Sequence, residues 1–515
     1  MSDLRKTRDA SSLSLREGQG EGERGAANQN GRTNFAAHSQ SDSVGAMPTG
    51  ATETVALPFP WLRIRAELNQ SERWHGAGRG GEGADICRYS GGSFGEELPW
   101  RILRVRWGEM IDGRKPFGRA PAASWRWRFA WVFAFVALGG LGWAARAAEA
   151  SKSPALITDQ SVRNEVQHAI DRGLAWLQAN QNSNGWWSTP DQPAVTALAL
   201  MACQGEPTGR FRDAEALWLK RGYAFVLGCA NPDGGICRTN LPTYNTSLCM
   251  MALLAANQAE YEPVLRRARR FLIGLQNDFD ENGKLDNPFD GGIGYGSHYQ
   301  HSDMGNTLQA LEALYYSRHL AEDKNYAEAR DLNWQAAIHF IQNCQNLPAY
   351  NRQSWASDDP KHKGGFVYYP GNSMAGSETN AATGRVALRS YGSISYAGML
   401  SYIYANLKHG DPRVLAVFDW LRQNYTLEEN PGMGPAGLYY YFHTMTKALT
   451  IYAVNELELK DGRKIDWRKE LGLHLIDLQQ RDGSWFNTSG RWWEKDPALV
   501  TAYAVLSLEL ICRGL

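Results

Sequence analysis

Asp303 opens the run Asp303-Met-Gly-Asn306-Thr307-Leu-Gln-Ala-Leu311, which reads as the first turns of an apolar helix. Two roles fit a carboxylate there. As an N-cap it would accept backbone N–H groups and its pKa would fall. As a proton donor it would need an apolar setting that raises its pKa. His443 closes the aromatic run Tyr439-Tyr440-Tyr441-Phe442-His443 and is the candidate base. Thr196, Tyr244, Tyr391, Tyr396, Tyr440 and Tyr441 also stand at or near the starts of apolar helices. Tyrosine faces there would steady a developing cation or hold a lipid; the alternative is packing between helices.

Two further groups carry ligand chemistry. Asp278-x-Asp280-x-Asn282-Gly283 places oxygens at alternate positions around a glycine turn, which suits calcium, but Phe289 stands at the twelfth place where a bidentate Glu belongs. The same residues also suit a solvated Asx turn. His298-x-x-His301-x-Asp303 has transition-metal ligand types without a fourth ligand. No cofactor is otherwise expected. Cys229 and Cys237 flank a turn-rich loop and are candidates for a disulfide, while Cys203, Cys249 and Cys512 fall in apolar helices and read as core.

The elements that would position these residues follow one plan. A helix ending in an aromatic-Leu-x-x-x-Gln pattern leads into a Gly/aromatic turn, then into a helix rich in Ala and Leu. The first copy is Trp176-Leu177…Gln181…Gly185-Trp186-Trp187 followed by 193–202. The last is 471–480 with Gly483-Ser-Trp485, followed by 497–508. Four weaker copies lie between, giving six helix pairs. The second helix of each pair is apolar nearly all round and should be buried; the first keeps charged faces, as in Arg266-Arg267-Ala-Arg269-Arg270. An inner ring of apolar helices inside an outer ring of amphipathic ones satisfies both.

The units Gln181…Gly185-Trp186-Trp187 and Gln480…Gly483-Ser484-Trp485 resemble the QW-type repeats of squalene–hopene cyclases, oxidosqualene cyclases and protein prenyltransferase β subunits. The resemblance covers about 148–515 and implies an all-α fold, an (α/α)6 toroid of two concentric helix rings. The family's chemistry does not come with it intact. Proton-initiated cyclases carry Asp-x-Asp-Asp, whose nearest counterpart here is Asp278-Phe279-Asp280-Glu281; zinc prenyltransferases carry Asp-x-Cys, absent from 149–515. Fold alone does not establish activity.

The chain before the helix pairs is of another kind. Residues 1–109 are rich in Arg, Gly and Ser without sustained periodicity, and read as a disordered or mis-assigned extension ahead of a start at Met110. Residues 110–148 combine a basic flank, an apolar core at 129–143 and the small residues Ala144-Ala145-Arg146-Ala147-Ala148, the pattern of a signal peptide; an uncleaved anchor is the alternative. Residues 149–515 are therefore expected outside the cytoplasm, periplasmic or anchored facing outward. With 54 basic and 54 acidic residues the chain has no excess charge to draw nucleic acid. The expected partner is an apolar, isoprenoid-like small molecule held in a central cavity, with catalysis open and membrane association compatible. The alternative is a non-catalytic ring binding a peptide, glycan or protein.

Overall fold

The computed structural model describes residues 154–515 apart from 213–215, 297–300, 322–330 and 382. The readings of 1–109 and 110–148, and of His298, lie outside the described residues. Among these there are twelve α-helices: α1 (Pro154–Ala179), α2 (Pro193–Gln204), α3 (Leu217–Leu227), α4 (Pro242–Ala256), α5 (Glu262–Ile273), α6 (Met304–Tyr316), α7 (Trp334–Asn343), α8 (Gly392–Tyr404), α9 (Pro412–Gln423), α10 (Leu438–Ile451), α11 (Trp467–Leu478) and α12 (Pro497–Cys512). Two short antiparallel hairpins, 377–379 with 386–388 and 457–458 with 464–465, are the strands.

Composition divides the helices. Every residue of α2 is buried, and all of α12 after its first. Such helices have no polar face to give to water. In α3 the buried positions are Leu219, Gly222, Tyr223 and Val226, the i, i+3, i+4, i+7 stripe of a helix with one side on a core. Packing follows that division. Helix α2 packs on α4, α4 on α6, α6 on α8, α8 on α10, α10 on α12, and α12 back on α2. The odd-numbered helices lie against this closed cycle, α3 on α2, α5 on α4, α9 on α8, and α11 against α12 and α1.

The seams between successive pairs are built from three devices. A glycine with positive φ turns the chain after the odd helix: Gly185, Gly234, Gly291, Gly364 and Gly483, φ +83° to +99°. A Cβ at Gly185 would lie 2.3 Å from the Arg221 carbonyl oxygen of the next odd helix, so the close approach also demands glycine. Two residues on, a backbone N–H donates to a hydroxyl in the following even helix: Trp187 to Thr196, Ile236 to Thr246, Ile293 to Thr307, Phe366 to Ser395 and Trp485 to Thr501, at 2.9 to 3.1 Å. Finally a glutamine Nε2 donates to the carbonyl at the glycine and to a carbonyl in or beside another odd helix. Gln181 reaches Trp218, Gln276 reaches Asn333, Gln345 reaches Arg413, and Gln479 reaches Ala169 of α1. The last bond joins the turn after α11 to α1.

Three expectations need correction. The seam glutamine of the last pair is Gln479, not Gln480, whose side chain returns to the Leu478 carbonyl. The arginine-rich face of α5 is not wholly solvated: Arg266 and Arg269 are buried and donate to the Leu320 and Leu314 carbonyls, 2.5 and 2.6 Å away. The Leu314 carbonyl is in the last turn of α6, and the Leu320 carbonyl is in the short turn that follows it. Cys229 and Cys237 are free thiols. The loop does bring their backbones together, the Cys237 N–H donating to the Cys229 carbonyl at 3.1 Å, but Arg238 and Asn231 donate to the two sulfurs instead.

Candidate functional site

The N-terminal ends of the six even helices surround a cavity of about 300 Å³. Each contributes to its wall: Val195 of α2, Tyr244 of α4, Asn306 and Gln309 of α6, Ile394 of α8, Tyr440 of α10, Leu499 and Tyr503 of α12. Loops add Tyr295, Tyr368, Trp492, Trp493 and Glu494, and Tyr391 stands at the N-cap of α8. Among the described residues the wall is mainly apolar and aromatic and holds no Lys, Arg or His. A larger concavity of about 780 Å³ lies around Arg318, Trp334, Lys408 and Arg413. It is an open, charged groove in which Arg318 is already stacked on Tyr315 and Trp334, so the enclosed aromatic cavity is the stronger candidate.

Tyrosine hydroxyls in this wall are largely committed to one another. Tyr244 and Tyr503 share a hydrogen bond of 2.8 Å, as do Tyr295 and Tyr368. Gln309 bonds Tyr440. Burial raises the pKa of Tyr440 and of Tyr391, so both remain phenols.

Asp303 lies behind the wall, fully buried, and combines the N-cap position with a raised pKa. It is the N-cap of α6: Oδ1 accepts the Asn306 N–H and Oδ2 accepts Asn306 Nδ2, both at 2.8 Å. Burial nonetheless pushes its pKa up to about 6, against the pull of the Asn306 donors, the Tyr368 hydroxyl and His301. Capping and an elevated pKa coexist because the cap is inside the molecule rather than at a wet rim.

His443 is one turn beyond Tyr440 on α10, stacked on Tyr503 with ring centroids 5.2 Å apart, and its Nδ1 is buried without a hydrogen-bond partner. Burial, then the neighbouring Lys447, holds it neutral. Deeper still, Lys447 Nζ meets both carboxylate oxygens of Glu312 at 2.6 and 2.5 Å. This pair joins α10 to α6 across the inside of the cycle, with both side chains at most 5% exposed.

Of the residues singled out in the sequence, Tyr244, Tyr391 and Tyr440 line the cavity; Asp303 and His443 stand behind it. Thr196, Tyr396 and Tyr441 do not line it. Thr196 holds the seam at Trp187, while Tyr396 and Tyr441 pack on each other and the Tyr441 hydroxyl reaches the Thr426 carbonyl. The oxygens of the 278–290 loop bond within it: Asp278 accepts from the Gly283 N–H, Asp280 from Asn287, and Asp290 from the Phe279 and Asn287 N–H groups. Among the described residues no group of three or more His, Cys, Asp or Glu is placed to hold a metal ion.

Sequence reading missed Tyr295, Tyr368, Trp492, Trp493 and Glu494 because they sit in loops, outside any helical register. The last three form one piece. Trp492 and Trp493 have φ of 54° and 66°, a conformation unusual for bulky residues, and are about half exposed at the cavity. Glu494 fixes them. Its buried carboxylate accepts the Tyr440 N–H at 2.8 Å, the Tyr439 N–H at 3.3 Å and Asn487 Nδ2 at 2.5 Å. It thereby caps α10, whose own N-cap, Gly437, has no side chain to do so.

No protein-family model and no curated protein matches the chain. Solved structures resemble it at low identity. The type II terpene cyclase MstE from Scytonema, in its apo form, is 13% identical over 68% of this chain and 99% of the cyclase, with a TM-score of 0.40. A variant of that cyclase in complex with geranylgeranyl dihydroxybenzoate gives 12%, 69%, 99% and 0.40. A possible member of the GH105 family from Salmonella enterica gives 10%, 68%, 94% and 0.39. Likeness at this level carries nothing about activity, which has to be argued from the cavity.

Proposed function

We propose that residues 149–515 form an exported (α/α)6 toroid that binds an isoprenoid-like apolar small molecule in the cavity at the N-terminal ends of its inner helices. The observation that carries this reading is the cavity itself: about 300 Å³, at the centre of a closed cycle of apolar helices, walled by aromatic and aliphatic side chains without one basic group. Burying an apolar ligand against such a wall contributes roughly 25 cal/mol per Å² of area removed from water. Export rests on the basic flank, apolar core and small residues of 110–148. The direct test incubates the purified protein with farnesol, geranylgeraniol and squalene, then analyses the extract by mass spectrometry. Retention of at least one, displaced when Tyr244 and Tyr440 are both changed to Ala, is the expected result.

Catalysis is a second reading, favoured by the pKa of Asp303 near 6. A buried acid next to the Tyr368–Tyr295 hydroxyl pair would pass its proton through the phenols to a double bond at the wall, and the aromatic faces would steady the cation that forms. His443, neutral and with an unpartnered nitrogen, would take the proton that the cation later loses. Asp303→Asn keeps the capping oxygen but removes the acid. New products in the extracts of the native protein that vanish in this variant would support catalysis; ligand returned unchanged by both would leave binding alone.

A further inference from the structure

Charge narrows what the cavity can take. Glu494 stands in its wall and Asp303 just behind it; among the described residues no Lys, Arg or His lines the cavity, His301 lying near Asp303 behind it and Arg491 stacking on the outer Trp492. A diphosphate or carboxylate would enter a low-dielectric site that already leans negative, with no cation to offset its desolvation. An anionic headgroup is therefore excluded from the wall, and the question is which neutral one fits.

Two polar atoms near Asp303 are left over. Asn306 lines the cavity, and its Nδ2 is committed to Asp303 Oδ2 at 2.8 Å. An ionised carboxylate only accepts, so the amide nitrogen must face it and the amide oxygen must turn away. That oxygen is buried and has no donor. Leaving a buried carbonyl unsatisfied costs about 1–3 kcal/mol, so a bound group that supplies a donor relieves it. The second is the hydroxyl of Tyr391, which lines the same cavity, lies close enough to Asp303 to feel its charge, and has no hydrogen-bonding partner among the described residues. A phenol can donate as well as accept. One site thus offers a lone acceptor and a free donor. An ether would satisfy only the donor and an ammonium only the acceptor. A hydroxyl satisfies both at once.

We propose that the cavity is specific for an alcohol: a neutral ligand with an apolar body and one hydroxyl, which donates to Asn306 Oδ1 and accepts from the Tyr391 hydroxyl. This rests on the reading of the cavity as an apolar-ligand site and adds the headgroup to it.

The test measures binding of farnesol, farnesyl methyl ether and farnesyl diphosphate to the full chain by tryptophan fluorescence, since Trp492 and Trp493 border the site. Farnesol should bind about tenfold more tightly than the methyl ether, the worth of one well-made hydrogen bond, and the diphosphate more weakly than either. Tyr391→Phe removes one hydroxyl and keeps the ring. It should weaken alcohol and ether alike by up to about tenfold and leave the preference between them, since both accept from that hydroxyl. Asn306→Leu should erase much of the preference for alcohol over ether while leaving binding of the ether within about twofold, and circular dichroism shows whether it remains folded; Tyr391→Phe decides if it does not. Equal binding of alcohol and ether overturns the proposal but leaves the apolar-ligand reading standing, as does alcohol binding that Tyr391→Phe leaves unchanged. Tightest binding by the diphosphate overturns it too. If none of the three binds, the cavity reading itself fails, and the proposal with it.

Discussion

Thr196, Thr246, Thr307, Ser395 and Thr501 all accept a backbone N–H from the turn before them. On the same helices, a residue or two earlier, Val195, Tyr244, Asn306, Ile394 and Leu499 face the cavity and have almost nothing in common. The seams are uniform because each solves the same mechanical problem, joining one helix pair to the next. The interior is varied, and the proposed ligand, which lacks the ring's symmetry, would account for that. What recurs in this chain therefore reports stability, and on the proposed reading what breaks the pattern reports the ligand. Each region can be perturbed separately.

The largest effect is expected inside the cycle, at Glu312–Lys447. Removing one partner strands the other charge at nearly complete burial. Glu312→Ala or Lys447→Ala should cost about 3–5 kcal/mol in urea unfolding. The double replacement Glu312→Met with Lys447→Met should cost far less, because no charge is left without its partner. If the single and double variants cost the same, the pair is not a unit, and its role in joining α10 to α6 is lost.

At the seams, Trp187 and Trp485 are 1% and 0% exposed, and each indole N–H donates to a carbonyl of its own odd helix at 2.7 Å. Either changed to Ala should cost about 3–5 kcal/mol, with farnesol affinity unchanged in whatever fraction stays folded. Loss of affinity in the folded fraction would mean that seams and interior are not separable. A cavity residue marks the same division from the other side: Trp492→Ala should barely move stability yet weaken binding, since that indole is 43% exposed and lies at the cavity.

Asp303 belongs to both regions, and pH separates its roles. Its pKa rises from 3.8 to about 6 on folding. The fold therefore favours the protonated form. The stability this contributes is complete below about pH 3.8 and is lost as pH rises through about 6. Two units amount to about 3 kcal/mol. Asp303→Asn has no such titration, so the stability of the native protein relative to the variant should fall by about that amount across this window and stay level above it. A flat difference would show that burial does not govern the carboxyl.

How much of this could be read beforehand depends on which region is asked about. Periodicity, glycine turns and apolar second helices made the helix pairs and their order legible, because the seams impose the same residues at the same spacing. Asp303, Tyr244, Tyr391 and Tyr440 were legible for the same reason: they occupy defined positions at helix starts. Tyr396 and Tyr441 share that kind of position but face the opposite side, a rotation of the helix that spacing from its start does not fix. Trp492, Trp493 and Glu494 were not legible. They act from a loop whose left-handed backbone and tertiary cap on α10 have no counterpart in a helical pattern.

The smallest prediction concerns the one seam residue that spacing assigned to the wrong position. Gln479 and Gln480 are adjacent, and either could end an aromatic-Leu-x-x-x-Gln pattern. The distinction is the direction in which each side chain leaves the end of α11. Gln479 Nε2 donates to the Gly483 and Ala169 carbonyls, both at 2.9 Å, and so links the last turn to α1. Gln480 only returns to the Leu478 carbonyl at 3.1 Å, exposed to water. Removing Gln479 would leave two carbonyls short of a donor at the joint that closes the cycle, so Gln479→Ala should cost about 1–2 kcal/mol. Gln480→Ala should stay within about 0.5 kcal/mol of the native protein. The paired measurement is a urea titration of the two variants side by side. Equal costs, or a greater cost at Gln480, would mean that the closing seam is held by something other than the glutamine bridge seen at Gln181, Gln276 and Gln345.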